Sequence, residues 1–289
     1  MSSRRDFLKS ASFATLAFPA AAFEGRNKDG PKIGLVTYQW GKDWDIPTII
    51  RNCEKSRVLG VELRTEHKHG VEPSLNSHQR SEVKKRFQDS KVTVLGYGSN
   101  VQFDDPNPQI LRKNVNQAKE LLQLSHDIGG GGVKVKPNMF HEGIPHNQTL
   151  EQIGNALNEL GKFAAGLGQK IRLEVHGEGT QELPNIKSIM DVADDPHVGV
   201  CWNCNPEDMN GQGFEYNFNL VKDRLGDTMH IHELNNPPYP YNDLARLLKK
   251  ANYSGWLLLE CVSTPTNIVD AMTEQRIKWE ALIVKYYSL

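Results

Sequence analysis

Three side chains suited to metal chemistry stand in apolar runs of the second half of the chain: Glu174, His230 and Glu260. A carboxylate in such a run is costly to bury unless it pairs with a cation or binds a metal. One such acid would indicate an ordinary ion pair, with Arg64 or Lys136 as the partner. Two acids and an imidazole at equivalent positions favour a shared divalent cation, with Mn, Mg, Co, Fe or Zn as candidates.

Other polar side chains also follow apolar runs. The two-residue period of a strand puts Glu174 and His176 on the same side of theirs. For His67 and His69 a solvated loop pair is the alternative, but we expect at least one to face a site. Besides the three residues above, the polar candidates are Glu62, Arg64, His67, Lys136, His176, Asn203, Asn205 and His232, with Trp202 beside them.

These side chains need a repeating architecture to bring them together. After residue 30 the chain alternates a short apolar run with a longer amphipathic stretch, at a mean spacing of about 30 residues. The runs are rich in Val, Ile and Leu and do not alternate strictly, which is typical of parallel strands buried on both faces. The predicted strands are 32–37, 61–64, 92–96, 133–136, 171–175, 198–202, 229–232 and 256–260.

Eight such units predict an α/β fold, a single-domain (β/α)8 TIM barrel over residues 26–289, with its active site at the carboxyl ends of the strands. A doubly wound open sheet is the alternative. Against it, the first strand is not followed by G-x-G-x-x-G, and the four glycines at 129–132 precede a strand. Helices are predicted at 46–57, 110–128, 149–167, 182–192 and 267–287, with a capping box opening at Thr149.

The first residues match a twin-arginine (Tat) export signal. Arg4 and Arg5 are followed by Phe7, Leu8 and Lys9, an apolar run at 11–22, and alanines at 20–22. We therefore expect a Tat signal peptide at 1–25 and a periplasmic or otherwise exported protein, a fraying amphipathic N-terminus being the alternative. The apolar run is too short to span a membrane.

The charge balance excludes one large class of function. The chain has 34 Lys and Arg against 35 Asp and Glu, for a formal net charge of -1. A nucleic-acid binder would normally carry a basic surplus, so we expect no nucleic-acid partner. The expected partner is a small-molecule sugar, and the sequence leaves a homo-oligomer open.

In this order and at barrel spacing, several motifs resemble the xylose isomerase-like TIM barrel superfamily, which includes sugar phosphate isomerases and epimerases. The resemblance covers essentially the whole chain after the predicted signal peptide. The motifs that carry it are Gly60-Val61-Glu62-Leu63, Leu173-Glu174-Val175-His176, Val198-Gly199-Val200-Cys201-Trp202-Asn203, His230-Ile231-His232-Glu233, and Gly255-Trp256 leading to Glu260.

The resemblance implies a set of metal ligands. In the epimerase branch a Glu, an Asp, a His and a Glu hold one divalent cation, and the matching positions here are Glu174, Asn203, His230 and Glu260. Asn203 departs from the pattern, because it offers a neutral carbonyl oxygen in place of a carboxylate. This implies a weaker metal site, or one where Asn203 and Asn205 bind sugar hydroxyls.

The implied function is a metal-dependent sugar isomerase or epimerase that removes a proton next to a carbonyl of an unphosphorylated sugar, with Glu174 and Glu260 as the catalytic acids and bases. A lyase or dehydratase acting on 3-keto-glycosides or inososes is one alternative, because it begins with the same proton removal. A non-catalytic carbohydrate-binding barrel is the other. The expected substrate contacts are Glu62, Arg64, His67, Lys136, His176, Trp202, Asn205 and His232.

Overall fold

Eight parallel strands alternate with helices in the part of the chain that the computed structural model describes, residues 30–235 and 239–287. Each strand pairs in parallel with its neighbours, in the order β6-β5-β4-β3-β2-β1-β8-β7. This confirms the predicted (β/α)8 barrel as a single domain. The strands are β1 (Lys32–Val36), β2 (Gly60–Arg64), β3 (Thr93–Gln102), β4 (Gly132–Lys136), β5 (Lys170–Glu174), β6 (Val198–Cys201), β7 (Thr228–Ile231) and β8 (Trp256–Leu259).

The helices form the outer layer, and local capping fixes where several of them begin. Asp45 accepts a hydrogen bond from the Thr48 amide at 2.9 Å before the first helix, and Asn76 and Gln79 form a capping box at the second. The helices are α1 (Ile46–Ser56), α2 (Ser77–Gln88), α3 (Pro108–Asp127), α4 (His146–Gly166), α5 (Leu183–Val192), α6 (Phe214–Val221), α7 (Tyr241–Lys250) and α8 (Ile268–Tyr287).

One predicted helix start is wrong. The capping box expected at Thr149 does not exist, because α4 already begins at His146, directly after Pro145, and Thr149 is buried inside the helix. Pro145 occupies the N-cap position with an extended ψ of 132°, so the helix begins at the next residue, three residues before Thr149. Strand β3 also extends to Gln102, six residues beyond its predicted end.

The seam between β6 and β7 closes the barrel without a regular ladder. Isolated bridges join Val200 to Leu225 and Asn203 to His230. The His230 amide donates to the Trp202 carbonyl at 2.8 Å. The seam is therefore the least regular strand boundary, and it runs into the candidate site.

Two kinds of interior result from this architecture. Between sheet and helices lies an apolar core, in which side chains such as Leu157 and Leu248 are fully buried. Inside the barrel the strands also project charged side chains, and Lys134, Arg172 and Glu62 have no exposed surface. Buried charges of this kind must find partners within the barrel.

The predicted signal peptide, 1–25, lies outside the described residues. Within 30–235 and 239–287, no helix combines the length and apolar character that crossing a bilayer requires.

Close approach of strands β3, β4 and β5 explains two of the glycines. A Cβ on Gly96 (φ +137°) would lie 2.0 Å from the Gly132 carbonyl oxygen. A Cβ on Gly132 (φ +158°) would lie 2.1 Å from that of Lys170. No side chain fits at either position without moving a strand.

Gly96→Ala is therefore expected to lower the free energy of unfolding by about 3 kcal/mol or more, through steric overlap with backbone. Gly166→Ala is the matched control, because a Cβ there meets nothing within 4 Å near the end of α4. It should be neutral or stabilise by roughly 0.5–1 kcal/mol. Urea unfolding followed by circular dichroism measures both. Equal effects would contradict the close approach of β3 and β4.

Candidate functional site

Glu174, His230 and Glu260 meet at the carboxyl end of the barrel. One ligand atom from each lies within 4.8 Å of the others. Nδ1 of His230 lies 3.1 Å from Oε1 of Glu174 and 3.3 Å from Oε2 of Glu260. All three side chains are buried. The structure thus brings together the three residues that the sequence singled out first.

Asn203 completes this group. Its Nδ2 donates to Glu174 Oε1 at 3.2 Å, and its Oδ1 is buried with no hydrogen-bond partner among the described residues. An unpaired buried amide oxygen is costly, so its presence points to a ligand that binds there. Two carboxylates, an imidazole and an amide oxygen form a donor set that fits a divalent cation.

Glu62 lies behind His230, away from solvent. Its Oε1 is 2.9 Å from Nε2 of His230, and its Oε2 is 3.5 Å from Nη1 of Arg172. A carboxylate on the far nitrogen of a histidine is the usual arrangement around a metal-binding imidazole, and it leaves Nδ1 directed at the candidate centre. Glu62 was predicted to contact substrate. In the structure its side chain has no exposed surface, and it orients His230.

Each of the two site carboxylates also holds a basic side chain. Lys134 Nζ lies 2.7 Å from Glu174 Oε2, and Arg64 Nη1 lies 3.0 Å from Glu260 Oε1. The sequence indicated Arg64 or Lys136 as the partner of a buried acid, and no role was predicted for Lys134. Both lysines lie on the same face of β4, and the one deeper in the barrel makes the contact.

These contacts keep the acids ionised despite their burial. Burial would raise the pKa of Glu174, but Lys134 and His230 hold it well below its usual value. Burial likewise opposes ionisation of Glu260, yet His230 lowers the pKa of that carboxyl to about 2. Burial disfavours the imidazolium form, but Cys201, Glu260 and Glu62 raise the pKa of His230 well above its usual value. A metal at Nδ1 would therefore compete with a proton.

Arg64, Lys136 and His176 lie close enough to this centre for the charges of Glu174 or Glu260 to act on them. Arg64 stacks over the Tyr38 ring at 4.8 Å. Lys136 Nζ lies 3.4 Å from His176 Nε2, and both side chains are half-buried. The Nδ1 atom of His176 is buried without a partner among the described residues, as is that of His67 in the loop after β2.

The remaining expected substrate contacts have partners within the protein. Trp202 is fully buried in the core, and its indole donates to the Tyr239 hydroxyl at 2.9 Å. Asn205 donates to the Val175 carbonyl at 2.8 Å, and His232 Nδ1 lies 3.1 Å from the Glu260 carbonyl oxygen. Both are half-buried and stabilise the loops around the site.

Asn203→Asp is expected to tighten Mn²⁺ binding about tenfold or more, because it adds a negative charge to the donor set. Without metal the same change should lower the unfolding temperature, since the new carboxylate would face Glu174. Asn252→Asp, exposed at the opposite end of the barrel, is the control and should alter neither property. Calorimetric titration and thermal unfolding measure both. Unchanged metal affinity in Asn203→Asp would remove Asn203 from the ligand set.

His69 has a structural role. Its Nε2 lies 2.8 Å from the Arg64 carbonyl oxygen, and its Nδ1 accepts from the Val71 amide at 3.1 Å. One nitrogen donates and the other accepts, so the ring is neutral. Burial lowers the pKa of His69 to about 4, from 6.5.

The unfolded chain therefore binds more protons than the folded chain between pH 6.5 and about 4. The stability that neutral His69 provides is complete above pH 6.5 and is lost as the pH falls towards 4. The stability difference between wild type and His69→Gln should shrink by up to roughly 3 kcal/mol over this range. Urea unfolding at several pH values tests this, with exposed His78→Gln as the control. A difference independent of pH would disprove it.

Comparison with known proteins agrees with this geometry. A model of the xylose isomerase-like TIM barrel family matches residues 50–280, and the chain belongs to that family. No match was found among curated proteins.

Solved structures share the fold at low sequence identity. The apo 3-keto-D-glucoside 4-epimerase YcjR from E. coli has a TM-score of 0.72 and 16% identity, covering 86% of this chain and 98% of its own. An L-ribulose 3-epimerase has a TM-score of 0.75 and 12% identity, covering 89% and 96%. The IolI protein with a bound zinc atom has a TM-score of 0.74 and 16% identity, covering 89% and 100%.

Proposed function

We propose that this protein is a metal-dependent isomerase or epimerase that acts next to a carbonyl of an unphosphorylated sugar. The observation that carries the proposal is the convergence of Glu174, His230 and Glu260 around one point, with the unpaired Asn203 oxygen beside them. The epimerase names of two structural relatives and the zinc in the third support it. The Arg4-Arg5 motif supports export, and an exported enzyme mainly meets sugars without phosphate.

Glu174, Asn203, His230 and Glu260 would hold the cation, which when bound polarises a carbonyl and an adjacent hydroxyl. The protein's part is to keep the two acids ionised and separately supported. Lys134 fixes one oxygen of Glu174, and Arg64 fixes one oxygen of Glu260. The other oxygen of each faces His230 Nδ1.

We assign proton transfer to these two carboxylates. One removes a proton from the carbon next to the carbonyl and becomes a carboxylic acid. The other, after taking a proton from water, gives that proton to carbon. Return to the opposite face of the same carbon gives epimerisation, and return to the neighbouring carbon gives isomerisation. Arg64 and His176 are placed to bind the oxygen that gains charge. Glu62 takes no proton from the substrate, since it contacts only buried groups.

Exchange of deuterium from D2O into keto-sugars, measured by mass spectrometry on metal-loaded protein, tests this step. Glu174→Gln and Glu260→Gln should each lower the exchange rate by about 10²–10⁴-fold. Glu178→Gln, exposed in the loop after β5, should retain the wild-type rate. Unfolding temperature and metal content should be measured for each variant, because Glu174→Gln leaves Lys134 without its acid.

The same samples separate the alternatives. Exchange without release of a leaving group supports an isomerase or epimerase, whereas release of free aglycone from a 3-keto-glycoside identifies a lyase. No exchange into any free keto-sugar, uronic acid or sugar phosphate by metal-loaded wild type would overturn the proposal in favour of a binding protein. Exchange confined to sugar phosphates would overturn the unphosphorylated substrate.

A further inference from the structure

Lys136 differs from the other basic side chains inside the barrel in having no acid partner among the described residues. Lys134 is paired with Glu174, and Arg64 with Glu260. The nearest polar atom of Lys136 is the Nε2 of His176, 3.4 Å from Nζ. Burial lowers the pKa of Lys136, with the charge on Lys134 acting in the same direction. A half-buried ammonium in this position gains from a negatively charged ligand.

The neighbouring imidazole offers a second donor. Because the Lys136 ammonium can only donate, His176 Nε2 accepts, and the proton of the neutral ring then lies on Nδ1. That Nδ1 is buried with no partner among the described residues. Lys136 therefore presents a cation at the end of β4, and the unused N–H of His176 lies on the edge of the ring that faces away from the lysine.

A neutral sugar would leave the charge of Lys136 uncompensated in a site of low dielectric. A carboxylate supplies one negative charge, which matches the charge of this one unpaired lysine. A phosphate carries nearly two charges at neutral pH, more than the single unpaired lysine balances.

We propose that the substrate is an acidic sugar of the uronic acid class, whose carboxylate is bound by Lys136. This inference rests on the proposed function in naming a substrate for that site. Binding of the carboxylate itself can be measured without turnover.

The test compares an acid with its neutral amide of nearly the same shape. D-glucuronate and D-glucuronamide, the corresponding galacturonic pair, and glucose 6-phosphate are titrated calorimetrically into the metal-loaded full-length protein. We expect the wild type to bind at least one acid about tenfold or more tightly than its amide. In Lys136→Met the preference should fall below about twofold, and in Lys136→Arg it should persist.

Lys170→Met is the matched control, because Lys170 is exposed at the opposite end of β5. It should keep the wild-type preference. Metal content and unfolding temperature show whether Lys136→Met is folded, and Lys136→Arg provides a second charge-retaining measurement.

Several results would overturn the inference. These are no binding of either acid, equal binding of acid and amide by the wild type, or a preference that survives in Lys136→Met. Tighter binding of glucose 6-phosphate than of both acids would point to a sugar phosphate instead. Deuterium exchange reports separately on the proposed function: acid binding through Lys136 without exchange into any sugar upholds the ligand class and rejects the isomerase.

Discussion

Charges buried inside a barrel must be neutralised by other side chains, and this requirement organises the whole structure. A continuous chain of contacts begins at Asp227, passes through Arg172 and Glu62 to His230, and divides there towards Glu174 and Glu260. Glu174 then pairs with Lys134, and Glu260 pairs with Arg64. Because removing one member would leave the next unpaired, the chain fixes the imidazole and both carboxylates before any ligand arrives.

The same network shows why the type and position of the candidate site could be predicted from the sequence, whereas the residues that support its side chains could not. Glu174, His230 and Glu260 stood out because charged groups are rare in apolar runs, and barrel topology brings strand ends together. Glu62 satisfies the same criterion, but its depth below His230 depends on strand stagger, which hydrophobic patterning does not encode. Lys134 was hidden for a related reason, since two lysines share one face of β4 and only depth distinguishes them.

The repeated pattern of apolar and amphipathic segments predicted the fold better than it predicted the ends of single strands and helices. Eight apolar runs at regular spacing predicted the barrel, and each observed strand overlaps one of them. Where a single strand or helix begins depends on several neighbouring side chains, and the sequence alone does not show which of them decides it. At the start of α4, Pro145 determined the first turn and Thr149 did not. Trp202 was predicted to contact the sugar because it ends a strand, yet its ring lies in the core and donates to Tyr239.

The irregular seam between β6 and β7 has a mechanical consequence. Its upper bridge joins Asn203 to His230, and these are two of the four candidate metal ligands. A cation bound by both would link β6 to β7 across this seam. Ion binding would then oppose separation of the two strands, and the neutral amide at position 203 would make that link weaker than a carboxylate would.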